Sequence, residues 1–227
     1  MIFPLDERAS KTDLKDQVHT VILRILKIID IICKENDIGY WLDYGTLLGA
    51  IRHRGFIPWD YEADIGMIRT DYDRFVKIVR EVLPEDLFFQ SKETDPYFMT
   101  YGIIEGKFRD RYSDYVDYYR THPNLLWHNG IQVDIFVYDL DISRNECISN
   151  SFERYYSNGR IHLTFEEIGY IIDKEFEGHK FPVPIGYDTY LKRAYGNYLE
   201  FPPKDQQKFP NINVFTPCKH IEARAWK

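Results

Sequence analysis

Apolar residues recur at helical spacing from about Leu14 to Glu35, which makes this the longest periodic segment of the chain. Ser10 and Asp13 fit a capping box ahead of the segment, and Gly39 after it fits a left-handed helix end. The pattern therefore predicts one long helix near the start of the chain.

Shorter patterns predict strands and further helices. Gly45 allows a tight turn after a strand at residues 40–42, and Thr46 can cap a brief helix over residues 47–51. Thr70 and Asp73 fit the cap of a helix that ends before residue 84. Further strands are predicted at residues 62–67, 88–89, 99–104, 107–109 and 131–137. Nearer the end of the chain, the pattern predicts a mixture of strand and helix at 165–176 and an extended segment at 181–184. A last helix is predicted at 187–195, with Asp188 as its cap and Gly196 at its end.

This order of elements predicts the α+β (mixed α/β) class, with a mixed sheet flanked by helices. A chain of 227 residues is expected to form a single domain. We assign residues of about 14–140 to its core and residues of about 141–227 to a C-terminal elaboration, in which the part after residue 203 reads as loop.

The formal net charge of −7 argues against nonspecific binding to duplex nucleic acid or anionic lipid, although a metal ion could still mediate contact with an anionic substrate. The three cysteines, Cys33, Cys147 and Cys218, are far apart and odd in number, which favours reduced structural thiols in a cytoplasmic protein. Charges interrupt the most apolar segment, residues 18–33, so no membrane span is expected.

Glu62, Ala63 and Asp64 suggest a metal site. In a strand, residues two apart project to the same face, so the carboxylates of Glu62 and Asp64 can converge on one cation while Ala63 points into a core. Two adjacent carboxylates repel each other unless solvent or a metal neutralises them, and oxygen ligands favour Mg²⁺ or Mn²⁺. The alternative for an isolated Glu-x-Asp pair is the exposed acidic face of an edge strand.

The surroundings of the acidic strand favour the metal site. Gly45 and Thr46 lie where the backbone at a helix start could bind a phosphate. Asp134, in the alternating segment 130–136, can supply a third carboxylate if its strand lies beside the first, and otherwise it faces solvent. Three such carboxylates suit phosphoryl transfer. Two can hold a metal ion, and the third can either hold a second metal ion or orient the attacking hydroxyl and accept its proton.

The segment from Tyr40 to Asp60, continued by residues 64–67, closely resembles the LicD family of phosphotransferases, and so do residues 130–136, 176–187 and 195–203. The resemblance implies a nucleotidyltransferase-like fold and a cofactor, Mg²⁺ or Mn²⁺. It implies transfer of a phospho-alcohol such as phosphocholine from a CDP-linked donor to a glycan or glycolipid hydroxyl, with release of CMP. Transferred by position, Glu62, Asp64 and Asp134 would be the metal ligands and catalytic carboxylates.

The chain departs from the family pattern at the acidic motif. The family usually reads Trp-Asp-Asp-Asp-x-Asp, whereas this chain has Tyr61 and Glu62 after Trp59 and Asp60. The longer Glu62 side chain could shift the metal, and Tyr61 removes one negative charge. Tyr44 also replaces a glycine that the family often has before Gly45-Thr46.

Other side chains are candidates for substrate binding. Arg52, His53 and Arg54 form a basic cluster that could meet donor phosphates, or they belong to a solvated loop. Lys107, Arg109 and Arg111 alternate along a strand and could bind phosphate or CMP, or they pair with nearby acids such as Asp110 and Asp114.

Aromatic and neighbouring residues complete the predicted site. Asp60 is grouped with the substrate-binding residues, and His128 is a candidate contact of donor or acceptor. Trp59 could stack on a base or a choline-like cation, whereas Trp41 favours the core. The tyrosines of residues 112–119 could form an acceptor-binding flap or a surface loop.

The sequence leaves two other functions open. A nucleotidyltransferase would release pyrophosphate instead of CMP, and a non-catalytic protein with the same fold would bind nucleotide or sugar without turnover. Under the leading hypothesis the protein is cytoplasmic and contacts a membrane peripherally where its acceptor is membrane-linked.

Overall fold

A computed structural model describes residues 1–98, 104–142, 144, 146–157 and 161–219. The long helix α1 spans Leu14–Glu35, as its periodicity predicts. The predicted capping box is wrong, since Asp13 alone caps α1 by accepting from the N–H groups of Lys15 and Asp16. Ser10 instead ends a 3-10 helix, and its hydroxyl donates to the carbonyl of Glu7.

The helices and strands follow the predicted order, with additional short elements. The remaining helices are α2 (Tyr44–Arg52), α3 (Arg69–Val82), α4 (Tyr118–Thr121), α5 (Ser151–Tyr156), α6 (Phe165–Ile168) and α7 (Tyr187–Tyr195), with 3-10 helices at Arg8–Ser10 and Lys204–Gln206. The strands are β1 (Trp41–Leu42), β2 (Ala63–Ile68), β3 (Leu87–Ser91), β4 (Gly106–Asp110), β5 (Asp114–Tyr115), β6 (Gln132–Leu140), β7 (Cys147–Asn150), β8 (Leu163–Thr164), β9 (Ile171–Phe176), β10 (His179–Pro184) and β11 (Ile212–Asn213).

The main sheet has the strand order β1-β2-β6-β4-β3, and β7 and β8 extend it from the end of β6. Strands β2 and β6 are parallel, whereas the other pairs are antiparallel, so the predicted mixed sheet is confirmed. Strands β9 and β10 form a separate hairpin, and β11 pairs with β5. The pairing of β11 corrects the prediction that the tail after residue 203 is entirely loop.

One face of the sheet is apolar and packs on helices. Ala63, Ile65, Val133, Ile135 and Phe108 are fully buried on this face, on which α1 and α3 pack. Fully burying a Val, Ile or Phe side chain contributes about 1.5–3 kcal/mol. The same strands therefore turn their alternate residues, which include the predicted carboxylates, to the opposite face.

Several helix ends differ from their predicted residues. After α1 the left-handed position is taken by Asp37, with φ of 52°, and not by Gly39. Asp43 rather than Thr46 caps α2, so that helix begins earlier than predicted. Gly196 closes α7 with φ of 67°, as predicted.

Two predicted caps are absent, and one predicted strand is untested. Thr70 does not cap α3, because that helix already begins at Arg69 and Ile68 before it makes no side-chain cap. Asp188 does not cap α7, because it lies inside that helix, which begins after Gly186. Residues 99–103 of the predicted strand 99–104 lie outside the described residues. No helix in the described part of the chain has both the length and the apolar character needed to cross a membrane.

Candidate active site

Three charged side chains lie side by side on the polar face of the sheet. Asp64 of β2 is opposite Asp134 of the parallel strand β6, and Asp134 is opposite Lys107 of the antiparallel strand β4. Because opposed residues of paired strands project to the same face, the three side chains converge. The structure therefore places Asp134 beside Asp64. The sequence predicts this arrangement only if the two strands are neighbours, and they are.

The two carboxylate oxygens of Asp134 have different surroundings. Nζ of Lys107 donates to Oδ2 at 2.7 Å and lies 3.3 Å from Oε1 of Gln132. Oδ1 is buried and has no hydrogen-bond partner among the residues that the structure describes. A buried oxygen without a partner costs about 1–3 kcal/mol, which a bound cation or water would offset. This oxygen is therefore available as a ligand.

Glu62 joins the cluster from the residue just before β2. Its Oε2 accepts a hydrogen bond from the amide of Gln132, which shares a face of β6 with Asp134. Burial and then the charge of Asp134 raise the pKa of Glu62, while Lys107 opposes the rise. Burial and then the charges of Glu62 and Asp134 raise the pKa of Asp64 well above its usual value. Carboxylates that repel one another in this way attract a cation.

The start of helix α2 lies against these carboxylates. A Cβ on Gly45 would come within 3.0 Å of Oδ2 of Asp60 and 3.7 Å of Oδ2 of Asp64, so glycine allows the close approach. Oγ1 of Thr46 accepts the backbone N–H of Asp64 at 2.7 Å. The predicted phosphate turn thus faces two acids, and a phosphate there would require a cation to offset their charge.

A buried network supports this helix start. Asp43 accepts hydrogen bonds from the hydroxyls of Tyr138 at 2.8 Å and Tyr190 at 2.9 Å, and from the N–H of Tyr44 at 2.8 Å. Its own N–H donates to the carbonyl of Asp64 at 3.0 Å. Burial raises the pKa of Asp43 to about 6. The network therefore fixes the α2 start relative to the acidic strand.

Glu153 is the second acid of this network. Its Oε1 lies 3.4 Å from the hydroxyl of Tyr138 and 3.5 Å from that of Tyr44, and the carboxyl is fully buried. Burial and then the charge of Asp43 raise the pKa of Glu153 to about 9. The raised pKa favours the protonated form of this acid at neutral pH.

A cleft of about 450 Å³ opens beside Glu62 over strands β6 and β4. Its polar lining includes Glu62, Lys107, Arg109 and Gln132. Its aromatic lining includes Tyr61, Phe98, Tyr118, Trp127, Phe152 and Tyr156. The size and the mixture of aromatic walls with a few charged groups are typical of small-molecule sites.

Arg109 is fixed in the floor of this cleft. Its Nε donates to Oε1 of Gln90 at 2.8 Å, and its Nη1 donates to the carbonyl of Gly130 at 2.8 Å. Burial lowers its pKa, but an arginine stays protonated at neutral pH. Lys107 and Arg109 therefore supply two cations for a phosphate in the cleft.

Arg111, the third cation of the predicted stripe, has a different position. Its Nε donates to the carbonyl of Leu87 at 3.0 Å, and its guanidinium lies over the ring of Phe88. It does not line the cleft. The predicted pairing of Asp110 is made instead by Arg8, whose guanidinium binds both carboxylate oxygens.

The predicted basic cluster lies away from the cleft. Nη1 of Arg52 donates to the carbonyls of Tyr198 at 2.9 Å and Glu200 at 3.1 Å, so its charge binds the C-terminal segment. The ring of His53 contacts Trp59 and Phe201 edge-on. Trp59 and Asp60 therefore lie on the α2 side of the carboxylates.

His128 and Trp41 pack in the interior. The His128 ring stacks on Phe88 at 5.2 Å, and its Nδ1 lies 3.6 Å from Sγ of Cys218. Neither His128 nor Trp41 lines the cleft. Trp41 packs against Tyr138, as its predicted core position requires.

Sequence reasoning missed several residues of the cleft. Gln132 is two residues before Asp134 on the same strand, so alternation could have identified it. Tyr118 falls within the tyrosine segment 112–119, for which the sequence leaves an acceptor-binding flap or a surface loop open, and the structure places it in the lining of the cleft. Trp127 and Phe152 carry no local signal. No group of three or more His, Cys, Asp or Glu side chains in the described ranges is already arranged as a metal site.

The family model described as the LicD/FKTN/FKRP nucleotidyltransferase domain matches residues 37–185, more than half of the chain. The chain is 27% identical to the lipopolysaccharide cholinephosphotransferase LicD of Haemophilus influenzae, over 87% of this chain and 96% of that protein. It is 53% identical to the human ribitol 5-phosphate transferase FKRP over 34 residues, which are 15% of this chain and 7% of that protein. An uncharacterized protein of Rickettsia prowazekii is 32% identical over 44% of this chain and 35% of its own length.

Proposed function

The chain belongs to the LicD family, and from that premise we propose that it transfers a phospho-alcohol from a CDP-linked donor to a hydroxyl of a glycan or glycolipid. The relatives that support this proposal are a lipopolysaccharide cholinephosphotransferase and a ribitol 5-phosphate transferase. Both names describe the transfer of a phosphorylated alcohol, and the first also names a glycolipid.

The observation that carries the proposal is the alignment of Asp64, Asp134 and Lys107 beside the cleft. In the proposed step an acceptor oxygen forms a bond to the phosphorus that carries the alcohol. The phosphoanhydride bond breaks, and CMP leaves with its electron pair. The proton of the acceptor hydroxyl passes to a carboxylate of the cluster, for which Asp64 and Asp134 are the candidates.

The residues present suit a divalent cation. Glu62, Asp64 and Asp134 offer only carboxylate oxygens, which Mg²⁺ and Mn²⁺ prefer, and Oδ1 of Asp134 has no partner among the described residues. We infer that these three acids hold the ion. When bound, such an ion neutralises charge that develops on the transferred and departing phosphates. Lys107 already offsets part of the charge on Asp134 and shares the donor phosphates with Arg109.

The aromatic walls favour choline over ribitol as the transferred alcohol. Tyr61, Tyr118 and Trp127 line the same cleft as Lys107 and Arg109. A quaternary ammonium is attracted to the faces of aromatic rings, whereas an uncharged polyol gains less from them. The cleft thus offers cations for phosphate and aromatic rings for a cationic alcohol.

Product analysis tests the proposal. The native chain is incubated with CDP-choline, Mg²⁺ or Mn²⁺ and a panel of glycan acceptors, and CMP release is measured with the Asp64→Asn variant as control. We expect metal-dependent CMP release that the variant loses.

Other products would support the alternative functions. Pyrophosphate from a nucleoside triphosphate would indicate nucleotidyl transfer. Nucleotide or sugar binding without turnover of any CDP-alcohol would indicate a non-catalytic protein.

A further inference from the structure

Aromatic residues cluster on the α2 side of the carboxylates, away from the cleft. We call Trp59, Tyr195 and Phe201 the aromatic platform. Trp59 directly precedes Asp60 in the chain, and its ring contacts Phe201 edge-on at 6.2 Å. Phe201 is 60% exposed and Tyr195 is 43% exposed. Large exposed rings grouped beside a candidate active site suggest a binding surface.

Arg52 holds Phe201 in position. Its guanidinium carbon lies 5.0 Å from the centre of the Phe201 ring, and its Nη1 binds the carbonyls of Tyr198 and Glu200. The arginine predicted to contact phosphate is therefore occupied in attaching residues 198–201 to the end of α2.

Tyr195 places the platform close to the acids. It is the last residue of α7, a helix that packs against α2 and whose Tyr190 hydroxyl binds Asp43. Burial and then the charge of Asp64 raise the pKa of Tyr195, with smaller effects of Asp43 and Asp60. The hydroxyl of Tyr195 is thus within electrostatic range of Asp64.

The platform and the cleft lie on different sides of Asp64. The cleft extends over β6 and β4, whereas Gly45 of α2 faces Asp60 and Asp64 from the β2 side. No platform residue lines the cleft. In phosphoryl transfer the attacking and leaving oxygens are roughly in line on opposite sides of phosphorus. With donor phosphates at Lys107 and Arg109, the attacking hydroxyl must approach from the platform side.

We propose that the aromatic platform is the acceptor subsite and binds a neutral sugar ring of the glycan, with one hydroxyl directed towards Asp64. This inference rests on the proposed function, because it assigns the second substrate of the same reaction. The apolar C–H face of a sugar ring packs on aromatic rings, and its hydroxyls can bond to Tyr195 and Asp60. Asp60 and Asp64 disfavour an anionic group at this position, which makes a neutral ring the better occupant.

Saturation-transfer NMR and steady-state kinetics test the proposal with methyl glycosides of glucose, galactose and N-acetylglucosamine as probes. Phe201→Ala removes an exposed ring, and Tyr195→Phe removes one hydroxyl. Phe215→Ala is the matched control, since Phe215 is 59% exposed and belongs neither to the cleft nor to the platform.

We expect Phe201→Ala to weaken glycoside binding and raise the acceptor KM roughly five- to tenfold, as for the loss of one aromatic contact. Tyr195→Phe is expected to raise the acceptor KM more than the donor KM, because only a hydroxyl that binds the sugar is lost. The control should match the native chain in all readouts.

The outcomes separate this proposal from the proposed function. Equal glycoside binding by native chain and Phe201→Ala, or no glycoside binding by the native chain, would overturn the acceptor subsite. Glycoside binding that depends on Phe201, in a native chain that releases no CMP from any CDP-alcohol, would support the sugar site and contradict the transferase assignment.

Discussion

Lys107 and Asp134 form a buried ion pair across two antiparallel strands, with Nζ 2.7 Å from Oδ2. The exposed fractions of the two side chains are only 9% and 5%, so each charge depends on the other for compensation. Lys107 also lowers the pKa of Glu62, against the effect of Asp134. The lysine therefore pairs with Asp134 and opposes the rise in the pKa of Glu62, while it also offers a cation to the cleft.

Lys107→Met removes this cation and keeps the apolar stem. We expect the KM for CDP-choline to rise at least about tenfold, because a charged contact to phosphate is lost. The free energy of unfolding should fall by about 3–5 kcal/mol, since Asp134 is left buried without compensation. Donor titration and denaturant unfolding measure the two effects.

Arg111→Met is the control for Lys107→Met, because Arg111 follows β4 but lies outside the cleft. Its donor KM should stay at the native value. The double variant Lys107→Met/Asp134→Asn should regain part of the lost stability. A single variant as stable as the native chain would contradict the role of the ion pair.

Asp64→Asn and Asp134→Asn each preserve shape and remove one carboxylate charge. We expect each variant to lose at least about a hundredfold in CMP release, as for removal of one electrostatic contact to a transition state. Circular dichroism should show the native fold in both. The control is Asp139→Asn, which changes an acid at the far end of β6 that pairs with Arg69. Native turnover in either test variant would refute the assignment.

The sequence predicts the main elements because their signals are local. Helix α1 and strand β6 follow from periodic burial, and both were located to within a few residues. Caps were less predictable, since Ser10 and Asp13 compete for the same helix start and only the folded backbone selects Asp13.

The site required information that no local pattern contains. Alternation shows that Asp134 leaves the core face, but only the strand order puts it beside Asp64. Arg52 is a reasonable phosphate ligand in sequence, yet folding brings it to carbonyls some 146 residues away. Trp127 lies in the segment between β4 and β6, and it lines the cleft only because this segment folds back over the sheet.

Trp127→Ala tests the choice of alcohol. A cation–π contact is worth about 0.5–2 kcal/mol, so the KM for CDP-choline should rise about two- to thirtyfold. The KM for CDP-glycerol, whose alcohol is uncharged, should change much less. Trp127→Phe keeps an aromatic face and should retain part of the preference. The ratio of kcat/KM for the two donors is the measurement, and an unchanged ratio in Trp127→Ala would exclude Trp127 from choline recognition.

The pH dependence of stability tests the buried acids beneath α2. Burial raises the pKa of Glu153 to about 9, whereas the unfolded chain has the usual value near 4.5. Between these values the folded state binds a proton that the unfolded state has released, so stability must fall as pH rises. The slope approaches about 1.4 kcal/mol per pH unit for one proton. Asp43, with its pKa raised to about 6, acts in the same direction between about pH 4 and 6.

Glu153→Gln replaces the protonated acid by a group that does not titrate. We therefore expect its melting temperature to fall less than that of the native chain between pH 6 and 9, whatever its stability at pH 6. Glu166→Gln, at an exposed position of α6, should retain the native slope. Melting curves of Glu153→Gln that run parallel to the native curves over this range would show that Glu153 is ionised in the folded protein. In that case the hydroxyls of Tyr44 and Tyr138 would have to stabilise a buried carboxylate at Glu153. The network of Asp43 and Glu153 would then not carry a proton on Glu153 at neutral pH.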